Sequence, residues 1–121
     1  MSLKVLVADD SGVMRKIVIR SLNSCGVNDI VEAVDGADAL AKCAEHTFDL
    51  VMTDWNMPNK SGLELVQELR AGGSKVPIIM ITTEAEMSRV KEAIDAGVND
   101  YLAKPFDNEV LRQKIDKYVC V

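Results

Sequence analysis

The chain is poor in the residues that mark several common protein classes. Aromatics make up 4% of its 121 residues, histidine occurs once, and Lys plus Arg (14) are outnumbered by Asp plus Glu (19). The formal charge of −5 opposes loose attraction to nucleic acid or to an anionic membrane, both of which need a cationic excess. Neither GxxxxGK[ST] nor GxGxxG occurs, so a nucleotide-binding glycine loop is missing. The three cysteines, Cys25, Cys43 and Cys120, are odd in number and make no CxxC pair. That usage fits reduced thiols in a cytosolic protein. No apolar stretch approaches bilayer-spanning length, and the N-terminus has no basic segment leading into an apolar signal core. A cytoplasmic location is therefore expected. One domain over residues 1–121 is expected at this length, and 48% hydrophobic residues are enough to give it a core.

What the chain does have is four short apolar runs that each stop at a polar, reactive type of residue. LKVLVA runs into Asp9 and Asp10, FDLVMT into Asp54, VPIIMI into Thr82, and NDYLA into Lys104. Continuous runs of this kind suit strands buried on both faces of a parallel sheet, whose ligands bind outside the carboxyl ends of the strands.

Helical spacing alternates with these runs. The first helix is expected over 12–25 with Met14, Ile17, Val18, Ser21, Leu22 and Cys25 on its stripe, stopping at Gly26. A second strand, 28–34, precedes a helix over 37–46 whose Ala37, Leu40, Ala41 and Ala44 form a small-residue face. Strand 48–54 is followed by helix 61–70, carrying Leu65, Val66 and Leu69 and closed by Gly72–Gly73 before strand 76–82. Helix 85–96 has the weakest stripe, mainly Val90, Ala93 and Ile94. Asp107 is placed to cap a last helix carrying Val110, Leu111, Ile115 and Tyr118. Five βα units imply an α/β, doubly wound, five-stranded parallel sheet of flavodoxin-like (βα)5 type, order 2-1-3-4-5. Its switch point lies between strands 1 and 3, the two that end in aspartates.

Three carboxylates brought together, with Lys104 to offset one of them, leave negative charge for a cation to balance. Like charges 4 Å apart repel by about 4 kcal/mol at an effective dielectric of 20. All the candidate ligands are oxygens, so magnesium is expected, with manganese as the alternative, and zinc is disfavoured. Magnesium commonly bridges carboxylates to a phosphate, which points to phosphoryl chemistry.

Five fragments carry a family resemblance: LVADDS at 6–11, EAVDGADAL at 32–40, TDWNMPNKSGLEL at 53–65, ITTEAE at 81–86 and AGVNDYLAKPF at 96–106. In this order and spacing they resemble the receiver domains of two-component response regulators, within them the stand-alone chemotaxis branch. The resemblance implies that Asp54 accepts a phosphoryl group from a sensor histidine kinase. It implies a magnesium site made by Asp9, Asp10, Asp54 and the backbone carbonyl of Asn56, and roles for Thr82 and Lys104 in binding the phosphoryl oxygens. The Lys104–Pro105 bond is cis in that family. Tyr101 is implied as the switch aromatic, responding to Thr82. Asn56 and Glu84 are implied to tune hydrolysis, while Thr83 stands where the family usually has a smaller residue.

The output surface expected from this resemblance is the helix 4–strand 5–helix 5 face around Ala85, Tyr101, Ala103, Phe106 and Lys114, with a flagellar switch protein or another output protein as partner and a phosphatase as a further one. The chain would then be a signalling module that catalyses only its own phosphoryl transfer and hydrolysis. Rival readings are a phosphorelay intermediate and a small magnesium-dependent aspartyl-phosphate phosphatase. The phosphatase would need a substrate cap for which no residues are spare. With nothing after the last helix, a DNA-binding output is not expected in this chain. Trp55, next to Asp54, is expected at the edge of the site, Gly62 is expected to serve helix packing, and His46 is read as a helix-end residue.

Overall fold

The four apolar runs and the 28–34 segment become five parallel strands. In the computed structural model, which describes residues 3–118, these are β1 (Lys4–Ala8), β2 (Asp29–Ala33), β3 (Leu50–Asp54), β4 (Ile78–Thr82) and β5 (Asp100–Ala103). They are ordered β2-β1-β3-β4-β5, as the alternation predicts. Strands β1, β3 and β4 are buried along nearly their whole length, whereas β2, at the sheet edge, buries only Ala33 fully. The helices are α1 (Gly12–Ser24), α2 (Gly36–Glu45), α3 (Gly62–Ala71), α4 (Val90–Ala96) and α5 (Asn108–Tyr118). A 3-10 helix over Glu84–Arg89 precedes α4.

Alternation along the strands divides the core in two. Leu6, Ala8, Val51, Ile78 and Met80 pack with Ala39 of α2, Leu65, Val66 and Leu69 of α3 and Ala93 of α4. Val5, Val7, Leu50, Met52, Ile79, Ile81 and Leu102 face Val18 and Leu22 of α1 and Leu111 and Ile115 of α5. Each fully buried Val, Leu or Ile contributes about 1.5–3 kcal/mol relative to exposure. Sequential local signals shape the helix ends: Ser11 accepts the Met14 N–H at 3.2 Å, Asp107 accepts that of Val110 at 2.8 Å, and Gly97 ends α4 at φ 117°.

Some helical faces differ from the pattern expected. In α2 the packed stripe is Gly36, Ala39, Leu40 and Cys43, whereas Ala37, Ala41 and Ala44 are exposed. Both stripes have helical spacing, and alanine's small area gives hydrophobicity little leverage to choose between them. Gly36 decides it, because a Cβ there would collide with the Lys60 backbone. Ile17, Ile94 and Val110 are exposed at 45%, 44% and 38%; each lies at the margin of its stripe. The expected helix over 85–96 is helical throughout, but it begins as a 3-10 turn. Cys120 lies outside the described residues. Among those described, no helix is long and apolar enough to cross a membrane.

Candidate active site at the carboxyl rim of the sheet

Strand register brings the reactive residues to one rim. Ala8 pairs with Thr53, Asp54 with Ile81, and Thr82 with Ala103, so the turns leaving β1, β3, β4 and β5 open on the same side. Asp9, Asp10 and Asp54 each present a carboxylate oxygen within 4.8 Å of the others. Lys104 Nζ lies 3.6 Å from Asp54 Oδ1. The structure therefore assembles the three acids and the amine that the sequence placed at separate strand ends.

The acids are not equivalent. Asp10 is exposed, whereas Asp9 is 1% exposed. Asp9 Oδ1 accepts the Ser11 N–H at 2.9 Å, and its buried Oδ2 has no protein partner. Burial raises the Asp9 pKa above the ordinary carboxylate range, a rise that the Ser11 N–H and Lys104 oppose and Asp10 reinforces. Asp54 is raised too, again chiefly by burial, with Lys104 opposing and Asp9 and Glu86 adding to the shift. Their ionisation thus costs folded-state free energy in the bare protein. An orphaned buried oxygen beside two further carboxylates is a donor set suited to a hard, oxygen-seeking divalent cation.

Surrounding contacts hold this rim in place. Arg15 Nη1 donates to the Asp9 carbonyl at 2.7 Å, while its Nε pairs with Glu32 at 2.9 Å. Gly62 seats α3 against β3: its N–H donates to Trp55 O at 2.9 Å, and a Cβ there would collide with the Asp54 carbonyl oxygen. The packing role expected of Gly62 is thus visible. Lys104 N–H donates to Thr82 O at 2.7 Å, and the Lys104–Pro105 bond is cis.

Thr82 is fully buried and its hydroxyl donates to the Thr83 carbonyl at 3.0 Å. Tyr101 is half-buried, with Lys114 Nζ 4.9 Å from its ring centre. A groove of about 350 Å³ beside it is lined by Ala103, Phe106, Val110 and Lys114 among others. Ala85 is exposed on the 3-10 helix and does not line that groove. His46 caps the end of α2 and accepts from Lys4 Nζ at 2.8 Å, the helix-end position expected.

Two expectations need correction or extension. Trp55 is not an exposed lid over the site: its side chain is 1% exposed within the core, because strand alternation puts it on the same face as Val51, and Arg89 lies 4.4 Å above its ring. The acidic side chain seen at Asn56 is that of Glu86, whose Oε2 accepts Asn56 Nδ2 at 2.7 Å. Its Oε1 accepts the Thr83 N–H at 3.0 Å and hydroxyl at 3.1 Å. The side chain of Glu84 lies outside the described residues. Glu86 was missed, although Thr83-x-x-Glu86 has the spacing of a capping box, a signal legible in the sequence.

Comparison with known proteins agrees with this geometry. The sequence pattern of the response regulator receiver domain matches residues 5–116. Chemotaxis protein CheY1 of Helicobacter pylori is 44% identical over 117 residues, covering 94% of each chain. Chemotaxis protein CheY-3 of Vibrio cholerae is 42% identical over 118 residues, 96% of this chain and 91% of its own. Among solved structures, Vibrio cholerae chemotaxis protein CheY4 superposes with a TM-score of 0.88 at 35% identity, covering 98% of this chain and 100% of that one. The receiver domain of a sensor histidine kinase from Pseudomonas aeruginosa, described with a magnesium ion coordinated in its active site cleft, gives 0.87 at 28% identity, with 98% of both chains covered. A match running from Val5 to Asp116 takes in both aspartate-bearing turns, the end of β4 and the Lys104–Pro105 corner, and this chain belongs to the response regulator receiver domain family.

Proposed function

We propose that the chain is a phosphorylation-switched response regulator of a chemotaxis-type two-component system, with Asp54 as the phospho-acceptor. The observation that carries this reading is the cluster itself: three carboxylates within 4.8 Å, one of them with an unpartnered buried oxygen, and Lys104 at 3.6 Å from Asp54. A carboxylate oxygen of Asp54 attacks the phosphorus of a phosphohistidine on a sensor kinase. The new P–O bond forms as the P–N bond breaks, and the departing imidazole takes up a proton.

Asp9, Asp10 and Asp54 would hold a magnesium ion, with the Asn56 carbonyl as a further oxygen donor; manganese suits the same donors. When bound, it supplies charge balance for the phosphoryl oxygens. Lys104 adds a cation on the same side. The Thr82 hydroxyl moves from the Thr83 carbonyl to a phosphoryl oxygen, and Tyr101 follows into the space vacated. The surface formed by α4, β5 and α5 is thereby altered, and an output protein, such as a flagellar switch component, reads it. The chain is not a turnover enzyme on an outside substrate; it acts on its own phosphoryl group.

Incubation with a small acyl phosphate and magnesium, followed by intact-mass and peptide analysis, tests this. One phosphoryl group on Asp54 is expected, lost in Asp54→Asn and in chelator. Equal modification of Asp54→Asn would overturn the assignment.

A further inference from the structure

Glu86 occupies an unusual place for a surface carboxylate. It lies on the 3-10 helix that follows β4, yet its two oxygens join the β3–α3 turn, through Asn56, to the β4 exit, through Thr83. All three donors are neutral, and among the described residues no cation forms an ion pair with it. The same short helix is held at its far end by Arg89, whose guanidinium lies over the Trp55 ring while pairing with Glu92 at 3.6 Å. Glu86 is near enough to Asp54 to disfavour that carboxylate's ionisation.

Charge accounting gives this position its significance. Once a divalent cation and Lys104 balance the three aspartates, the cluster is close to neutral. The Glu86 carboxylate then remains as unneutralised negative charge at the mouth. Phosphoryl donors are anions, and a fixed like charge lowers their local concentration, most strongly at low ionic strength.

We infer that Glu86 is a positioning and donor-selecting residue of this site: it ties Asn56 to Thr83 across the entrance and repels small anionic phosphoryl donors. Selectivity of this kind works by penalising the wrong partner. A free acyl phosphate pays the repulsion in full, whereas a protein donor can offset it with cationic groups of its own. The inference rests on the reading of Asp54 as acceptor and adds a residue that governs which donor reaches it.

The test uses Glu86→Gln, which removes the charge with little change of shape, and Glu86→Ala, which also removes the tie. Initial rates of Asp54 phosphorylation by a dianionic acyl phosphate are measured by intact mass at saturating magnesium over a potassium chloride series. Glu86→Gln is expected to react about three- to tenfold faster than the parent at roughly 0.05 M salt, the two converging near 0.5 M as screening shortens the range of the repulsion. Rates within twofold of the parent at low salt would overturn donor selection. In the metal-free protein, the Asn56 side-chain amide signals should shift and exchange faster with water in Glu86→Ala; unchanged signals would overturn the positioning role. Failure of the parent to be modified at Asp54 would overturn the acceptor reading itself and donor selection with it, while the Asn56 signals still report on the tie.

Discussion

The helices that follow the two central rim strands are built to different standards. After β3, α3 starts with a reciprocal capping box: Ser61 Oγ accepts the Glu64 N–H at 3.2 Å, and Glu64 Oε1 accepts that of Ser61 at 3.1 Å. It buries Leu65, Val66 and Leu69 and is seated by Gly62 on the Asp54 carbonyl. After β4, six residues of 3-10 helix lead to a seven-residue α4 whose one buried side chain is Ala93. The strand that ends in Asp54 is thus locked to a rigid element, and the strand that ends in Thr82 to a loosely held one. Few buried contacts mean a low free energy of local opening, so the helix after Thr82 should open more readily than the helix after Asp54, although their strands are neighbours in the sheet.

Core truncation should separate the two helices most strongly. Leu65→Ala should cost about 2–5 kcal/mol in urea unfolding, while Ile94→Ala, at 44% exposure, should stay within about 0.5 kcal/mol of the parent. Similar losses at the two positions would mean that α4 is as firmly packed as α3. The caps sharpen the same contrast on a smaller scale. Ser61→Ala should lose about 1 kcal/mol. Thr83 gives its hydroxyl to Glu86 Oε1 at 3.1 Å, and the Glu86 N–H is already satisfied by the Thr83 carbonyl at 3.0 Å, so Thr83→Ala should lose less. If Thr83 crowds the approach to Asp54, as the resemblance implies, that variant should also gain its phosphoryl group faster from a small acyl phosphate. A loss as large as that of Ser61→Ala, with an unchanged phosphorylation rate, would show Thr83 to be a structural cap turned away from the site.

Which parts of this arrangement the sequence reveals has a physical logic. Apolar runs stopping at Asp9, Asp54, Thr82 and Lys104 leave little choice but strands buried on both faces, and topology then brings those residues together. The face of α2 was not readable, because glycine, alanine and cysteine carry too little hydrophobic contrast to rank two helical stripes. Adjacency to Asp54 suggests a Trp55 side chain lying over the site, but the period of two along Val51, Thr53 and Trp55 sends it into the core. Glu84 is implied by the resemblance and its side chain lies outside the described residues, while Glu86 carries a signal of its own in the spacing from Thr83. In a 3-10 helix residues three apart stand one above the other, and it is Glu86 that returns over Thr83.

A still smaller effect separates Asp100 from the rim acids. Burial raises its pKa, but donation from Lys114 at 3.0 Å, the Tyr101 N–H at 2.8 Å and the Tyr118 hydroxyl at 3.0 Å outweighs burial and holds it below the ordinary carboxylate value. A carboxylate lowered in the folded state stabilises above its unfolded pKa and loses that contribution as pH falls through the folded value. The Tm advantage of the parent over Asp100→Asn should therefore persist at neutral pH and shrink below about pH 4. Asp9 and Asp54, raised by burial, have the opposite sign: removing their charge should relieve the bare protein at neutral pH. A parent advantage at Asp100 that grows on acidification would contradict the hydrogen-bond account.

Phosphorylation at Asp54 should be felt across Thr82 and Tyr101 while α3 stays fixed. Amide hydrogen exchange with and without an acyl phosphate and magnesium, in the parent and in Thr82→Ala, tests it directly. Changed protection is expected over Thr82–Ala96 and Tyr101–Phe106 in the parent, none over Leu65–Leu69, and most of the change should be lost in Thr82→Ala although Asp54 is still modified. An equal change over Leu65–Leu69, or a full response in phosphorylated Thr82→Ala, would contradict it.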